Sequence, residues 1–581
     1  MAGLLGFSAL AGVLVTVMVA PAVAVTGVTA SSTIGIFDSI PEYLDLGELP
    51  ERNEIYVIDR NNPSGYTLAA NVFDQNRESV GYDQIAQFTL DATVAGEDRR
   101  FFEHGGVDVI GIIRAAMGNF TSGDVESGAS TLTMQLVKNT YVQEALEKPT
   151  EEERQAAYDE ATDPNFDRKL KEMKIAIGLE KRYTKKEILV AYLNVAYFSD
   201  QTYGIEAAAQ RYFGVSAANL TLAQSASLIA IVQYPNQRGL DDPENFGENE
   251  VRRDFILGQM LKEGFITQEQ YDEAYAIPVD EAFVAAGVPP QQGCRTADVY
   301  FRWFCDYVVK SVKDFEFLGA TVEEREANWA RGGYKLYTTL DTQAQVAAQN
   351  ALWAYTPPSE QVFRLGSAAS SVQPGTGRVM VMAENKYFDD ALEPADPVQS
   401  TAVNFNTSLS YGNSSGIQSG STYKLFTLLQ WLNTGHGVNE VLNGSARTEP
   451  ASSFNDRCTG AIDQFKFKNN SGEAGNFTVR YGTVQSINGM FVSMARELDL
   501  CDINQLAASL GVKMGLETTL PNNPSSILGV TYVTPLSMAT AYAAVAAGGK
   551  TCEPTEVDRF IAPNGEELPG QTPKCAQEPD P

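Results

Sequence analysis

The hydrophobic pattern of the sequence changes near residue 334. Between residues 82 and 264, apolar side chains recur every three or four positions, as at Leu170, Met173 and Ile177, and this spacing predicts amphipathic helices. After residue 334, strand-like and helix-like segments alternate, which is typical of an α/β layer. At 581 residues the chain is also too long for one ordinary hydrophobic core. We therefore expect a mainly helical domain followed by an α/β domain.

The pattern divides the chain into four segments. The first, residues 1–30, is predicted to be an apolar transmembrane anchor, because no charged side chain precedes Asp38 and the apolar stretch is long enough to span a bilayer. A cleaved signal peptide, with small residues at 22–24, is the alternative. A helical domain is expected at residues 50–270, a linker at 271–333 and the α/β domain at 334–581. Within them, the acidic stretch 147–163 suggests a solvated, mobile insertion, and the residues after 563 suggest a loose tail.

Charge and cysteine content restrict the partners and the compartment. The net charge of −30 argues against nucleic acid as a partner, because the phosphate backbone would be repelled. The six cysteines have no zinc-type spacing, and an even number behind a membrane segment suggests disulfides. Buried, reduced cysteines are the alternative. As a hypothesis we favour pairs that are close in sequence, Cys294 with Cys305, Cys458 with Cys501, and Cys552 with Cys575.

A first group of polar residues suggests group-transfer chemistry. It comprises two carboxylates, a histidine and three cations, at Glu97, His104, Lys138, Arg168, Lys169 and Glu172. Transfer of a sugar from a diphosphate donor needs a base for the acceptor hydroxyl and positive charge for the leaving group. Arg168 and Glu172 are four residues apart, so for that pair alone an ordinary salt bridge on a helix is the favoured explanation. The argument for a site comes from the joint occurrence of the motifs in this order.

Residues 50–270 resemble the peptidoglycan glycosyltransferase domain of class A penicillin-binding proteins. The resemblance is carried by several motifs in sequence, at residues 97–108, 128–139, 168–172, 188–194, 203–214, 222–229 and 252–253. A run of motifs is far more specific than a single short one. The resemblance implies a lysozyme-like, mainly helical fold that polymerises lipid II, an undecaprenyl-diphosphate-linked disaccharide-pentapeptide, into glycan strands. The reaction would invert the anomeric carbon.

The same resemblance implies roles for individual residues. Glu97 would be the general base on the acceptor hydroxyl, and Glu172 would assist at the donor diphosphate. The cationic side chains of Lys138, Arg168 and Lys169 would neutralise the charge of the diphosphate. Polar side chains would position the two sugars; these are His104, Thr131, Gln135 and Asn139. No cofactor is required by the sequence, although a divalent cation, Mg²⁺ or Mn²⁺, could assist at the diphosphate. Met134 departs from the family, many members of which have glutamine there. The apolar segment 107–117 is either a core helix or a surface that dips into the bilayer.

A second group of residues suggests serine acyl transfer. Ser421 and Lys424 form a Ser-x-x-Lys element, which on a helix places the amine one turn from the hydroxyl. Ser486 and Asn488 supply a Ser-x-Asn element 65 residues later. With residues 337–341 and 542–550 they resemble the transpeptidase domain of the same family, an α/β fold like that of serine β-lactamases. The resemblance implies Ser421 as the acylated nucleophile, Lys424 as its base, and Ser486 and Asn488 as proton-transfer and peptide-binding residues. The substrate would be a stem peptide ending in D-Ala-D-Ala, and β-lactams would acylate Ser421.

The third element of that family, Lys-Thr-Gly or Lys-Ser-Gly on a strand, is not matched. Lys550-Thr551-Cys552 lacks the glycine. We therefore expect that the sequence is truncated at its C-terminus, as well as at its N-terminus, which leaves the transpeptidase activity of this chain in question.

Taken together, these features predict a single-pass protein of the bacterial cell membrane with extracytoplasmic catalytic domains. Its partners would be lipid II, nascent glycan, stem peptides, β-lactams and other cell-wall synthesis proteins. Two other hypotheses remain at this point: a non-catalytic β-lactam-binding scaffold, and a lysozyme-like hydrolase that uses the paired carboxylates. The intact carboxylates argue against the first, and the diphosphate-facing cations against the second.

Overall fold

The computed structural model describes most of the chain in two compact units. The described residues are 44, 46, 49–112, 130–148, 150–163, 165–360, 362, 365–391, 396–459 and 464–577. The first unit joins residues up to 51 with residues 75–290, and the second joins residues 52–74 with residues 291–581. The predicted anchor at residues 1–30 lies outside the described residues. Within the described ranges, no helix is long and apolar enough to cross a membrane.

The first unit is helical, as the three-to-four spacing predicted. Its helices are α1 (Gln87–Glu97), α2 (Leu132–Leu146), α3 (Glu151–Thr162), α4 (Phe166–Arg182), α5 (Lys185–Val195), α6 (Ile205–Phe213), α7 (Leu222–Ile231), α8 (Pro235–Arg238), α9 (Phe246–Lys262) and α10 (Gln268–Tyr275). Their apolar faces share one core, in which Tyr192, Ile229 and Leu257 are fully buried. Within the acidic stretch 147–163, predicted to be a solvated, mobile insertion, residues 151–162 form the largely exposed helix α3, whose first turn is capped reciprocally by Thr150 and Glu153.

The second unit alternates strands and helices. Its helices are α11 (Arg302–Lys310), α12 (Val322–Arg331), α13 (Thr342–Tyr355), α14 (Leu409–Gly412), α15 (Lys424–Asn433), α16 (Val479–Val484), α17 (Asn488–Glu497), α18 (Leu500–Ser509) and α19 (Pro535–Ala546). Its strands are β1 (Asn53–Ile58), β2 (Tyr66–Val72), β3 (Lys335–Asp341), β4 (Ala368–Val372), β5 (Val379–Glu384), β6 (Tyr387–Phe388), β7 (Ser400–Thr401), β8 (Ile417–Gln418), β9 (Val441–Asn443), β10 (Thr448–Glu449), β11 (Phe465–Lys466), β12 (Asn476–Thr478), β13 (Tyr532–Val533), β14 (Lys550–Cys552), β15 (Val557–Ile561), β16 (Glu567–Pro569) and β17 (Cys575–Gln577). The prediction of a helical domain followed by an α/β domain is confirmed.

A five-stranded sheet in the second unit includes a segment from the start of the chain. Its strand order is β16-β15-β3-β1-β2. Strand β1 runs parallel to β3, about 280 residues later, and Ile55 lies opposite Leu336. Residues 52–74 therefore belong to the second unit and not to the domain predicted at 50–270. The main-chain hydrogen bonds of β1 are satisfied only by this distant partner on one side and by β2 on the other.

The predicted linker at 271–333 is also structured. It contributes α10 to the first unit, and α11 and α12 to the second. Helix α11 is rich in aromatic side chains and buries Trp303 and Phe304 in a core shared with β1 and β3. A second core lies beneath α15, α17 and α18, and it includes Tyr423 and Phe491. Pro278, Pro289 and Pro290 lie in the connection between α10 and α11, and Gly332 and Gly333 lie between α12 and β3.

All three hypothesised disulfides are present. Cys294 is bonded to Cys305, Cys458 to Cys501, and Cys552 to Cys575. The last bond joins β14 to β17, which are also paired by backbone hydrogen bonds. The expectation of a loose tail after residue 563 was therefore wrong, because β16, β17 and this disulfide hold the segment to the unit.

Candidate active sites

Helix α1 carries Glu97 at its last residue, where the backbone leaves the helical conformation at Asp98. The Glu97 side chain is 8% exposed. Arg252 of α9 donates to Glu97 Oε1 at 3.0 Å and also to the carbonyl of Gly96. Gln135 of α2 donates to Oε2 at 3.3 Å. The carboxylate is thus fixed from two helices, with unused lone pairs available to accept a proton.

A buried tyrosine sets the orientation of Gln135. The Tyr192 hydroxyl donates to Gln135 Oε1 at 3.2 Å, which leaves the amide nitrogen to face Glu97. Burial, and to a smaller extent the charge of Glu97, raises the pKa of Tyr192 well above its ordinary value. Tyr192 therefore stays protonated and remains a donor. Lys138 and Asn139 follow Gln135 by three and four residues, so they lie on the same side of α2.

The start of α2 is tied to the loop that follows Glu97. Thr131 caps the helix by accepting from the Met134 amide, and its hydroxyl donates to the Gly106 carbonyl at 2.6 Å. His104, in the same loop, is bonded through Nε2 to Asp98 Oδ1 at 2.9 Å. The predicted sugar-positioning residues Thr131 and His104 are therefore both held to the segment that follows Glu97, through Gly106 and Asp98 respectively.

Glu172 lies on α4 and is 1% exposed. Its two oxygens are ion-paired separately, one with Arg168 and the other with Lys169 at 2.6 Å. Lys169 also donates to Ser130 at 2.9 Å, just before α2. Burial, and then the nearby positive charge of Arg168, lowers the pKa of Lys138. Three cations against one carboxylate leave an excess of positive charge beside α2, which suits an anionic group such as a diphosphate.

The contacts of Glu172 also determine whether this site fits the divalent cation considered in the sequence analysis. Mg²⁺ and Mn²⁺ prefer carboxylate and carbonyl oxygens without competing ammonium groups. Both oxygens of Glu172 already contact cationic side chains, so these residues do not fit a metal. We derive no catalytic step through one.

The second candidate site is built around Ser421 in the second unit. Ser421 is exposed in a 3₁₀ turn, Gly420–Tyr423, that leads directly into α15. Gly420 has a φ of +55°, and its amide donates to the Gly529 carbonyl at 2.8 Å. A side chain at Gly529 would collide with the Gly420 carbonyl, so glycine is required there for the close approach. The turn presents the serine hydroxyl to solvent while its backbone is fixed from behind.

Lys424, one turn beyond Ser421, is 3% exposed. Its amine donates to Ser486 Oγ at 3.0 Å, to the Ser486 carbonyl at 2.8 Å and to Asn488 Oδ1 at 2.6 Å. Burial lowers the pKa of Lys424 to about 8, against a weaker opposing effect of Glu473. No hydrogen bond joins Ser421 to Lys424 within the described ranges. Because of this lowered pKa, a fraction of the Lys424 amine is neutral near pH 7, and the neutral amine is the form that a general base requires.

The Ser-x-Asn element is held in an unusual backbone conformation. Ser486 has a φ of +52°, the left-handed region that non-glycine residues rarely adopt. Asn488 opens α17 and donates through Nδ2 to the Lys468 carbonyl at 2.7 Å. Strain of this kind persists where surrounding contacts enforce it, commonly at functional sites. Here the contacts of Lys424 to the Ser486 carbonyl and hydroxyl supply that constraint.

Sequence reasoning predicted the members of both clusters but missed several of their partners. Arg252 lies in one of the motifs that carry the family resemblance but was not predicted as a site residue, and it contacts Glu97 from 155 residues away. Asp98, Ser130 and Tyr192 were also not assigned to the site. Asp98 and Ser130 are each adjacent in sequence to a predicted site residue, and this adjacency could have identified them as candidates. Nothing in the spacing of Tyr192 or Arg252 indicates their contacts.

Comparisons with known proteins agree with this geometry. The Transglycosylase family matches residues 65–261, and the penicillin-binding protein transpeptidase domain matches residues 368–578. Penicillin-binding protein 1A of Aquifex aeolicus is 27% identical over 598 residues, covering 92% of this chain and 75% of the relative. That of Streptococcus pneumoniae is 28% identical, covering 86% of this chain and 63% of the relative.

The chain belongs to the class A penicillin-binding proteins. Another relative, penicillin-binding protein 1A/1B of Bacillus subtilis, is 32% identical but covers 54% of this chain and 30% of its own length. This chain therefore spans less than two thirds of some of these penicillin-binding proteins. The crystal structure of penicillin-binding protein 1A from Haemophilus influenzae has a TM-score of 0.50 and 18% identity, over 91% of this chain and 73% of that one, and it supports the fold. Family models for both a transglycosylase and a transpeptidase domain thus match this chain.

Proposed function

We propose that the first unit polymerises lipid II and that the second acts on stem peptides through a Ser421 acyl-enzyme. The observation that carries the first part is the arrangement around α2. Gln135 of this helix contacts the buried Glu97, and Ser130 just before it contacts Lys169 of the cationic cluster. A base and a diphosphate-binding group flank one helix, as transfer from a diphosphate donor requires.

In this mechanism Glu97 accepts the proton of the acceptor sugar hydroxyl as that oxygen attacks the anomeric carbon of the donor. The bond from the anomeric carbon to the diphosphate oxygen breaks in the same step, so the configuration is inverted. The departing undecaprenyl diphosphate gains negative charge. Lys138, Arg168 and Lys169 stabilise that charge in a partly buried setting, where charge-assisted hydrogen bonds are stronger than in water.

The second reaction uses Ser421 and Lys424. The neutral amine of Lys424 takes the serine proton while Ser421 Oγ attacks the carbonyl between the two D-Ala residues. The terminal D-Ala leaves, with its nitrogen protonated through Ser486, and an amine of another stem peptide then attacks the ester. A β-lactam carbonyl would follow the first half of this route and stay attached, since its leaving group remains tethered.

The location follows from the substrates and the disulfides. A lipid-linked donor favours a single-pass membrane anchor at residues 1–30, and three disulfides fit an extracytoplasmic compartment. Nascent glycan and other cell-wall synthesis proteins are the expected partners, together with the bacterial cell membrane.

Replacing Glu97 tests the polymerase. We expect Glu97→Gln to abolish formation of glycan polymer from lipid II by the detergent-solubilised chain, because an amide cannot accept the acceptor proton. Glu103→Gln, an exposed carboxylate in the same motif, is the matched control and should retain activity. Circular dichroism should be unchanged in both variants. Full polymerisation by Glu97→Gln would refute the assignment of Glu97 as the base, and no polymerisation by the folded wild-type chain would favour the scaffold hypothesis. Release of soluble saccharide without polymer would favour the hydrolase.

Replacing Ser421 tests the acyl-enzyme. Ser421→Ala should remove the covalent adduct with a fluorescent penicillin on a denaturing gel and leave lipid II polymerisation as it was. Ser419→Ala, two residues earlier, is the control and should keep the adduct. Continued labelling of Ser421→Ala would identify a different nucleophile.

A further inference from the structure

The carboxylate of Asp98 is buried next to Glu97, and the proposed reaction does not use it. One oxygen, Oδ2, accepts a hydrogen bond from the Leu132 amide at 3.0 Å, at the first turn of α2. His104 Nε2 lies 2.9 Å from the other oxygen, Oδ1, and 3.1 Å from Oδ2. A single carboxylate thus joins the end of α1, the start of α2 and the imidazole of His104.

These contacts determine which nitrogen of His104 carries the proton. A carboxylate paired with an amide N–H offers only acceptors, so His104 Nε2 must be a donor, and the neutral ring then has an unprotonated Nδ1. The His104 side chain is 6% exposed. Within the described residues, its Nδ1 is buried and has no hydrogen-bond partner. An orphaned buried acceptor is costly unless a ligand satisfies it.

We infer that Asp98 is a positioning residue that holds His104 in the Nε2–H tautomer, so that Nδ1 accepts a hydrogen bond from a hydroxyl of the bound saccharide. This inference rests on the proposed glycosyl transfer. It adds to that function the direction of one hydrogen bond between the protein and the saccharide, in which the substrate hydroxyl donates and His104 Nδ1 accepts. A sugar that lacks the donating hydroxyl would leave Nδ1 unpaired and would be discriminated against.

The substitution Asp98→Asn makes the inference testable. An amide has one acceptor oxygen, and the buried Leu132 amide requires it. The amide nitrogen would then face His104 Nε2 as a donor, which forces the ring into the Nδ1–H tautomer. The substitution should therefore turn the free nitrogen of His104 from an acceptor into a donor. A purely structural role for Asp98 would not reverse the tautomer.

Nitrogen NMR of the full chain can read this change directly, because the sequence contains only two histidines, His104 and His436. With ¹⁵N-labelled histidine at pH 8.5, wild-type His104 should show a protonated Nε2 and an unprotonated Nδ1. Asp98→Asn should exchange those two assignments and leave His436 as it was. Asp108→Asn is the matched control, since Asp108 pairs with Arg100, and it should leave His104 unchanged. A wild-type Nδ1–H tautomer, or an unchanged tautomer in Asp98→Asn, would overturn the inference.

A second measurement tests the hydroxyl contact. Lipid II added to Glu97→Gln, which should bind without turnover, should shift the His104 Nδ1 resonance and leave both His436 nitrogens in place. Bound lipid II with an unmoved Nδ1 resonance would overturn this part of the inference. In polymerisation assays, Asp98→Asn should lose at least tenfold in rate and Asp108→Asn less than about threefold. Because the tautomer is measured without turnover, a failure of the proposed function remains distinguishable from a failure of this inference.

Discussion

The protonation of Lys424 predicts how acylation of Ser421 depends on pH. The neutral amine is the active form, and its share rises with pH, so the acylation rate should rise through the pKa and then level off. With a pKa of about 8, about a tenth of the amine is neutral at pH 7 and about nine tenths at pH 9. The rate constant with a fluorescent penicillin should therefore rise about tenfold between these values. An ordinary lysine would give a rise of about a hundredfold over the same two pH units, still continuing at pH 9.

The assay is stopped-flow or quenched labelling at a series of pH values, with the rate constant taken from the time course. A rate that keeps rising tenfold per pH unit beyond pH 9, or that does not change at all, would refute the argument. Glu473 supplies a further check, because its charge raises the pKa of Lys424. Glu473→Gln should move the midpoint to lower pH. Glu566→Gln, which removes an exposed carboxylate elsewhere in the unit, should leave it in place.

Two further predictions concern the residues that fix these sites. Arg252→Met removes the charged hydrogen-bond donor to Glu97 Oε1. A hydrogen bond to a charged group contributes about 1.5–3 kcal/mol, so the rate of lipid II polymerisation should fall at least tenfold. An unchanged rate would show that Arg252 is dispensable. Tyr423→Phe removes the buried hydroxyl that donates to Asn504 Oδ1 at 2.7 Å, which should lower the unfolding free energy of the second unit by about 1–2 kcal/mol. Chemical denaturation with circular dichroism measures that loss, and an unchanged midpoint would contradict it.

Local spacing explains why much of both sites could be predicted from the sequence. Arg168 and Glu172 are one helical turn apart, and so are Ser421 and Lys424, so a helix brings each pair together without any tertiary information. The three disulfide pairs could also be predicted from the sequence, because each joins two cysteines that are close in sequence. The roles of these residues in catalysis remain predictions.

Contacts between distant segments could not be predicted in the same way. Strand propensity does not specify a pairing partner, and the partner of β1, strand β3, lies about 280 residues later. The limits predicted at residue 50 and over residues 271–333 therefore differ from the division of the structure into two compact units. The proline and glycine content of the tail after residue 563 gave no indication of its two short strands. These strands are stabilised by pairing with neighbouring strands and by the Cys552–Cys575 bond.

The discontinuous second unit has a consequence for synthesis on the ribosome. The β1–β2 hairpin emerges first, but its pairing partner is complete only when Asp341 has been added. At about 5–20 residues per second, translation of the roughly 270 intervening residues takes about 15–60 s. During that time one hairpin edge has unpaired backbone groups, the kind of surface that recruits other strands. The first unit can complete its core within this interval, so the order of translation makes the nascent hairpin the segment most in need of protection by a chaperone.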